Sequence, residues 1–361
     1  MHQIPHEGDH RRDPLGTADG PADAVGSVSP TAGGTGTADR PQADDVSPAC
    51  PPPLSWREVI AAVDRQAERF TVPRRSGGTG RIRGVVLGSG PTIFMSGGFS
   101  GDVGLFALTA WVLREQYRCV LWEYADDCDG SRSADSGVPS GIWQYADDLL
   151  TVAEHFRSEP MLAYGVSFGA LVTTAALTRS PGAFRHVVLV APAAEYALTR
   201  RERWLLRRAV RRRFPLARLP FWRHLQSRMH GLFFPPFDHS RLWYLAANLG
   251  RTPIGVAARR MLIAAGTDLS DALAELRAND RLRLCVIAPE GEAPGIRRRR
   301  EHFERLLQQH RLQERLQVEF MHTSGVYPHL THPHRLRKLL EAFMGGRNDA
   351  AAEATTGANS P

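Results

Sequence analysis

The sequence predicts an α/β fold: a mostly parallel central sheet, covered by helices on both faces, with a helical cap inserted late in the chain. Three observations predict it. Apolar runs of strand length alternate with stretches of helical period. One strand breaks directly into a helix through a serine flanked by glycines. A long stretch without any strand signal then interrupts the alternation.

The elements follow in order. Leu54 to Phe70 has a helical apolar rhythm in Val59, Ile60, Val63 and Ala67. Arg83 to Leu87 and Thr92 to Met95 read as strands around the turn Gly88-Ser89-Gly90, and Cys119 to Tyr124 as another. Tyr145 to Phe156 is a helix with Leu149, Leu150, Val152 and Ala153 on its apolar face. Met161 to Gly165 is a strand, and Leu171 to Thr178 the helix after it. His186 to Ala191 and Leu282 to Ala288 are apolar runs of the kind buried in parallel sheets. Leu316 to Met321 is a last strand and Pro333 to Phe343 a closing helix. Between about 195 and 275 several helices follow one another, and this segment is the expected cap. It would sit over the carboxyl ends of the strands, where open α/β sheets bind ligands. Residues 1–53 and 345–361 are rich in small and polar residues, so both are expected as flexible tails around a domain at 54–344.

Composition narrows the function. A hydrophobic share of 42% and a mean hydropathy of −0.29 describe an ordinary globular chain. No apolar run approaches the roughly 20 residues of a membrane span, and the first residues lack the apolar centre of a secretory signal. The expected location is the cytoplasm. Cys50, Cys119, Cys128 and Cys285 match no zinc spacing and read as free thiols. The net charge is +7, and 44 of the 45 basic residues are arginine. Such a skew fits a coding bias, and the arginines look scattered over helix surfaces without a nucleic-acid module, so no nucleic-acid partner is expected. Nothing in the pattern calls for a cofactor or a metal. His329, His332 and His334 have ligand-like spacing, but no acidic ligands accompany them.

The strongest chemical signal is Gly165-Val166-Ser167-Phe168-Gly169. A strand running into this turn and a helix leaving it would present the Ser167 hydroxyl above the sheet, which requires small residues on both sides. With it, the chain resembles the α/β-hydrolase superfamily over about Arg81 to Met344. The likeness extends to Ser96-Gly97-Gly98-Phe99-Ser100-Gly101 after the strand ending at Met95. It implies an oxyanion hole made by the backbone N–H groups of Phe99 and Phe168. It also implies an acid after the strand ending at Ala288, and Glu292 best matches that position, with Glu290 in reserve. The family's histidine position falls within Gly325-Val326-Tyr327-Pro328-His329 and is occupied by Val326. Valine accepts no proton. His329, three residues on, is the expected relocated base, and His322, four residues before, the other candidate. The alternative to a serine hydrolase acting on an ester, thioester or similar acyl bond is a pseudo-hydrolase that binds a ligand or partner without turnover. Small molecules are the expected partners in either case, and membrane-surface contact through the basic cap stays open. The oligomeric state is not legible.

Overall fold

The computed structural model describes residues 54–75, 80–99, 103–124, 141–157, 161–230, 239–321 and 325–345. The expected tail at 1–53, Cys50, Cys128 and His322 lie outside the described residues, as does the expected tail at 345–361 except for Gly345, which ends a helix.

Eight strands form one sheet: β1 (Glu68–Pro73), β2 (Arg81–Leu87), β3 (Thr92–Ser96), β4 (Arg118–Trp122), β5 (Met161–Val166), β6 (His186–Val190), β7 (Arg283–Pro289) and β8 (Leu316–Met321). Their order is β1-β2-β4-β3-β5-β6-β7-β8. β1 and β2 pair antiparallel, as do β2 and β4, and every other pairing is parallel. β3 and β5 are buried at every position, as strands covered on both faces must be.

Two layers of helices cover the sheet. On one face α3 (Ile142–His155), α4 (Phe168–Arg179) and α9 (Pro294–Gln309) bury Leu149, Leu171 and Phe303 against Phe94, Ala163 and Val187. On the other, α1 (Trp56–Gln66), α2 (Ala107–Leu113) and α11 (Pro333–Gly345) bury Val63, Leu113 and Leu340 against Ile93, Leu121 and Tyr164. Successive residues of β5 divide between the faces, Ala163 to the first and Tyr164 to the second. The segment between β6 and β7 holds α5 (Arg200–Ala209), α6 (Trp222–His230), α7 (His239–Arg251) and α8 (Ile254–Ala265).

The first element differs from its expectation. The helix starts on a capping box between Ser55 and Glu58 but ends at Gln66, and Ala67 turns the backbone extended. The chain continues as β1, because Phe70 and Val72 gain a partner strand in β2 that a helix would forgo. Helices α2 and α9 also went unmarked in the sequence reading.

Candidate active site

The site lies where the strand order reverses. From β3 the chain moves to β4 on one side, then crosses to β5 on the other side of β3. The loops leaving β3 and β5 at their carboxyl ends therefore diverge and open a crevice, the usual ligand position in such sheets. Ser96 and Gly165 pair directly across this edge, which brings Ser96-Gly97-Gly98-Phe99 beside the serine turn.

Ser167 has φ 54 and ψ −111, a conformation that costs a non-glycine residue about 1 to 3 kcal/mol. Its N–H donates to the Val190 carbonyl at 2.9 Å, and its own carbonyl accepts from Ala170 and Leu171 as the helix begins. The flanking glycines are required by contact. A Cβ on Gly169 would lie 2.1 Å from the Ser96 carbonyl oxygen, and one on Gly165 would lie 2.7 Å from that of Gly169. Phe168 is the first residue of α4, so its N–H has no partner within the helix.

The rings of Phe99 and Phe168 stack at 5.3 Å, and Tyr196 meets Phe99 edge-on at 6.2 Å. Tyr196 lies beside Ser167, and its pKa is raised mainly by burial, although Arg299 beside the ring and, less, the Ser167 side chain oppose this. The β3 loop is held from three directions. Tyr124 donates to the Gly97 carbonyl at 2.5 Å and Trp122 to the Ser96 hydroxyl at 3.1 Å. Arg260, wholly buried on α8, donates to the Phe99 carbonyl at 2.7 Å and lies over the Tyr124 ring.

The expected acid and base are elsewhere engaged. Glu292 is buried, and both its oxygens accept from Arg300 Nε at 3.0 and 3.1 Å. Burial raises its pKa, with Arg300 opposing. Glu290, the reserve, is exposed. His329 sits at the second position of the short helix α10 (Pro328–Thr331) and is 1% exposed. Its Nδ1 is 3.3 Å from the Tyr164 hydroxyl, its ring lies 4.6 Å from Phe106, and its carbonyl accepts from Thr109. Burial pushes its pKa down to about 3. The structure thus brings Phe99, Phe168 and Ser167 together, but among the described residues no hydrogen bond joins His329 to Ser167 or Glu292. The reason is local: Pro328 starts a helical turn, and that turn aims His329 at α2 and Tyr164. Val326 packs half-buried against the same side of the sheet. Among the described residues no three His, Cys, Asp or Glu side chains are grouped as metal ligands.

The sequence matches no family model and no curated protein. Its structure is similar to a thermophilic esterase from Thermogutta terrifontis (TM-score 0.60, 17% identity, covering 78% of this chain and 99% of that one). It is also similar to an enol-lactonase from Burkholderia xenovorans (TM-score 0.57, 17%, 76% and 100%). A carboxylesterase from Bacillus subtilis is a third (TM-score 0.56, 15%, 80% and 95%). The chain has the α/β-hydrolase fold.

Within this α/β-hydrolase fold, three neighbours of the site escaped the sequence reading. Tyr196 follows β6 in a loop with no motif. Arg260 looks like any arginine of an amphipathic helix, and Arg300 is the last of four in a row, Arg297 to Arg300. Only the helical period pointed at Arg300, since it shares a face with Phe303 and Leu307 of α9.

Proposed function

We propose that the domain hydrolyses an acyl bond, an ester, thioester or similar, through Ser167. The observation that carries this reading is the strained serine between two glycines that no other residue can replace, set at the crevice where β3 and β5 diverge. Backbone strain of this kind persists where a function uses it. Ser167 Oγ attacks the carbonyl carbon, and the Phe168 and Phe99 amides stabilise the oxyanion, at about 3 kcal/mol for each donor. A base from the loop after β8 takes the serine proton and returns it to the leaving group. His329 fills that role once its turn swings away from Tyr164, and His322 is the other imidazole of that loop. Glu292 is the acid of this reading, and releasing it from Arg300 is part of the same rearrangement. The half-buried rings of Phe99 and Tyr196 beside Ser167 suit a small lipophilic acyl or aromatic substrate. The esterases and the lactonase of similar fold support the reaction class.

A second reading is favoured by two specific observations. Val326 fills the expected histidine position with packing, and a tyrosine, Tyr196, lies beside Ser167. A pseudo-hydrolase would keep the crevice as a binding site for a ligand or partner. Fluorophosphonate labelling of the full chain separates the two. Labelling lost in Ser167→Ala supports hydrolysis, and His322→Ala and His329→Ala then identify the base. A folded chain that resists labelling sinks the hydrolase reading and leaves the binding one.

A further inference from the structure

The chain's positive charge is concentrated in one part of the molecule. From Arg203 to Thr267 there are 13 arginines and one acidic residue, Asp238, a net charge of +12. The whole chain carries +7, so everything outside this segment sums to −5. Over the whole expected cap, 195–275, 15 arginines stand against six acidic residues, so the excess of positive charge gathers here, while the other 29 arginines are spread over the rest of the chain.

The same segment holds the exposed apolar side chains. Eight large hydrophobic residues are exposed among those described, and five of them, Trp204, Leu205, Phe221, Leu225 and Met229, fall within it. Helix α5 buries no residue fully, leaving Trp204 54% and Leu205 50% exposed between Arg203 and Arg207. On α6 the two sides are distinct. Trp222, Gln226 and His230 form the buried stripe, and Trp222 donates to the Ala246 carbonyl of α7. Phe221, Leu225 and Met229, also four residues apart, form an outward stripe bordered by Arg223 and Arg228.

We propose that the exposed apolar residues of α5 and the outward stripe of α6, with the arginines beside them, seat the protein on an anionic lipid surface. Arginine beside exposed tryptophan, leucine and methionine is the composition of helices that lie in a membrane interface, their apolar groups below the headgroups and their charges among the phosphates. Charge alone would serve a nucleic acid equally well. The exposed aliphatic chains of Leu205, Leu225 and Met229 favour the lipid surface, because phosphate contacts make no use of them and headgroup insertion does. The cap touches the crevice directly through Arg260 and the Phe99 carbonyl. A membrane-borne acyl substrate for Ser167 is a consequence that rests on the hydrolase reading, whereas the docking does not.

Co-sedimentation of the full chain with vesicles is the test, comparing phosphatidylcholine alone with phosphatidylcholine containing phosphatidylserine. Binding is expected to the anionic vesicles only. Replacing four exposed arginines (R207Q, R208Q, R211Q, R212Q) should weaken it about 100-fold or more at moderate salt. The apolar set L205S, F221S, L225S and M229S, which keeps every charge, should weaken it at least about tenfold, with an unchanged circular dichroism spectrum. Ser167→Ala should bind as the parent does, which separates docking from catalysis. No preference for anionic vesicles overturns the proposal. So does an apolar set that binds as the parent does, since that describes a general polyanion site; tighter binding to a single-stranded oligonucleotide than to the vesicles would then assign the face to nucleic acid.

Discussion

The two ends of the crevice are built to different standards. At β3 and β5 each contact is forced: Gly169 faces the Ser96 carbonyl, Ser167 is anchored to β6, and the Phe99 loop is held by Trp122, Tyr124 and Arg260. Beyond β7 and β8 the residues in the acid and base positions are engaged in holding the fold. Glu292 is bound to Arg300, His329 faces Tyr164, and Val326 is packing. The comparison teaches that an elbow and its backbone donors are fixed by local chain geometry, whereas a triad also needs distant side chains to remain available.

The largest expected effect is on the rigid side. Gly169→Ala drives a methyl group into the Ser96 and Gly97 carbonyls and should cost about 3 kcal/mol or more, read as a shift in the urea midpoint. A cost below about 1 kcal/mol would mean that the elbow is less rigid than its contacts imply. Next comes the ion pair. Arg300→Met strands a buried carboxylate and should cost about 3 kcal/mol at neutral pH. That cost should shrink in acid, because the raised pKa of Glu292 lets it take up a proton. A change in labelling rate per folded molecule would show that the pair also serves the chemistry.

Placing a histidine at position 326 should matter nearly as much. Val326→His is expected to raise fluorophosphonate labelling on the order of 100-fold. An unchanged rate would show that another group already supplies the base, or that position 326 does not reach Ser167. The pH dependence of stability then probes His329. Its pKa is near 6.5 when unfolded and about 3 in the fold, so between these values the unfolded chain holds the extra proton. The stability due to its neutral form is complete above about pH 6.5 and falls by about 1.4 kcal/mol per pH unit toward pH 3. His329→Gln should flatten that acid limb in urea titrations. Smallest is Tyr196→Phe, expected to change stability by less than about 1 kcal/mol while altering labelling, since it removes the hydroxyl beside Ser167.

Much of the frame was legible because it repeats short-range rules. Strands β2 to β8 were readable as apolar runs bounded by turns, and the serine turn by its glycines. β1 was not, since Glu68 to Val72 follows a good helix without a break and acquires its strand character from β2. Helix α9 hid behind Arg297 to Arg300, whose charge masks an apolar face at Phe303, Leu306 and Leu307. The spacing of His329 from Val326 left open whether its ring turns toward the crevice, and α10 turns it toward α2.

The sequence by itself determined the fold class, the strained serine turn and the glycines that permit it, because those depend on backbone conformation over a few residues. It also showed that a valine stands where a histidine is expected. Only the tertiary structure decided what surrounds these positions: the Arg300 partner of Glu292, the Tyr164 partner of His329, and the reach of Arg260 from α8 to the Phe99 carbonyl. Each such contact joins residues on different elements or different turns. Its geometry follows from how whole elements pack, a sum over many side chains that no local pattern encodes.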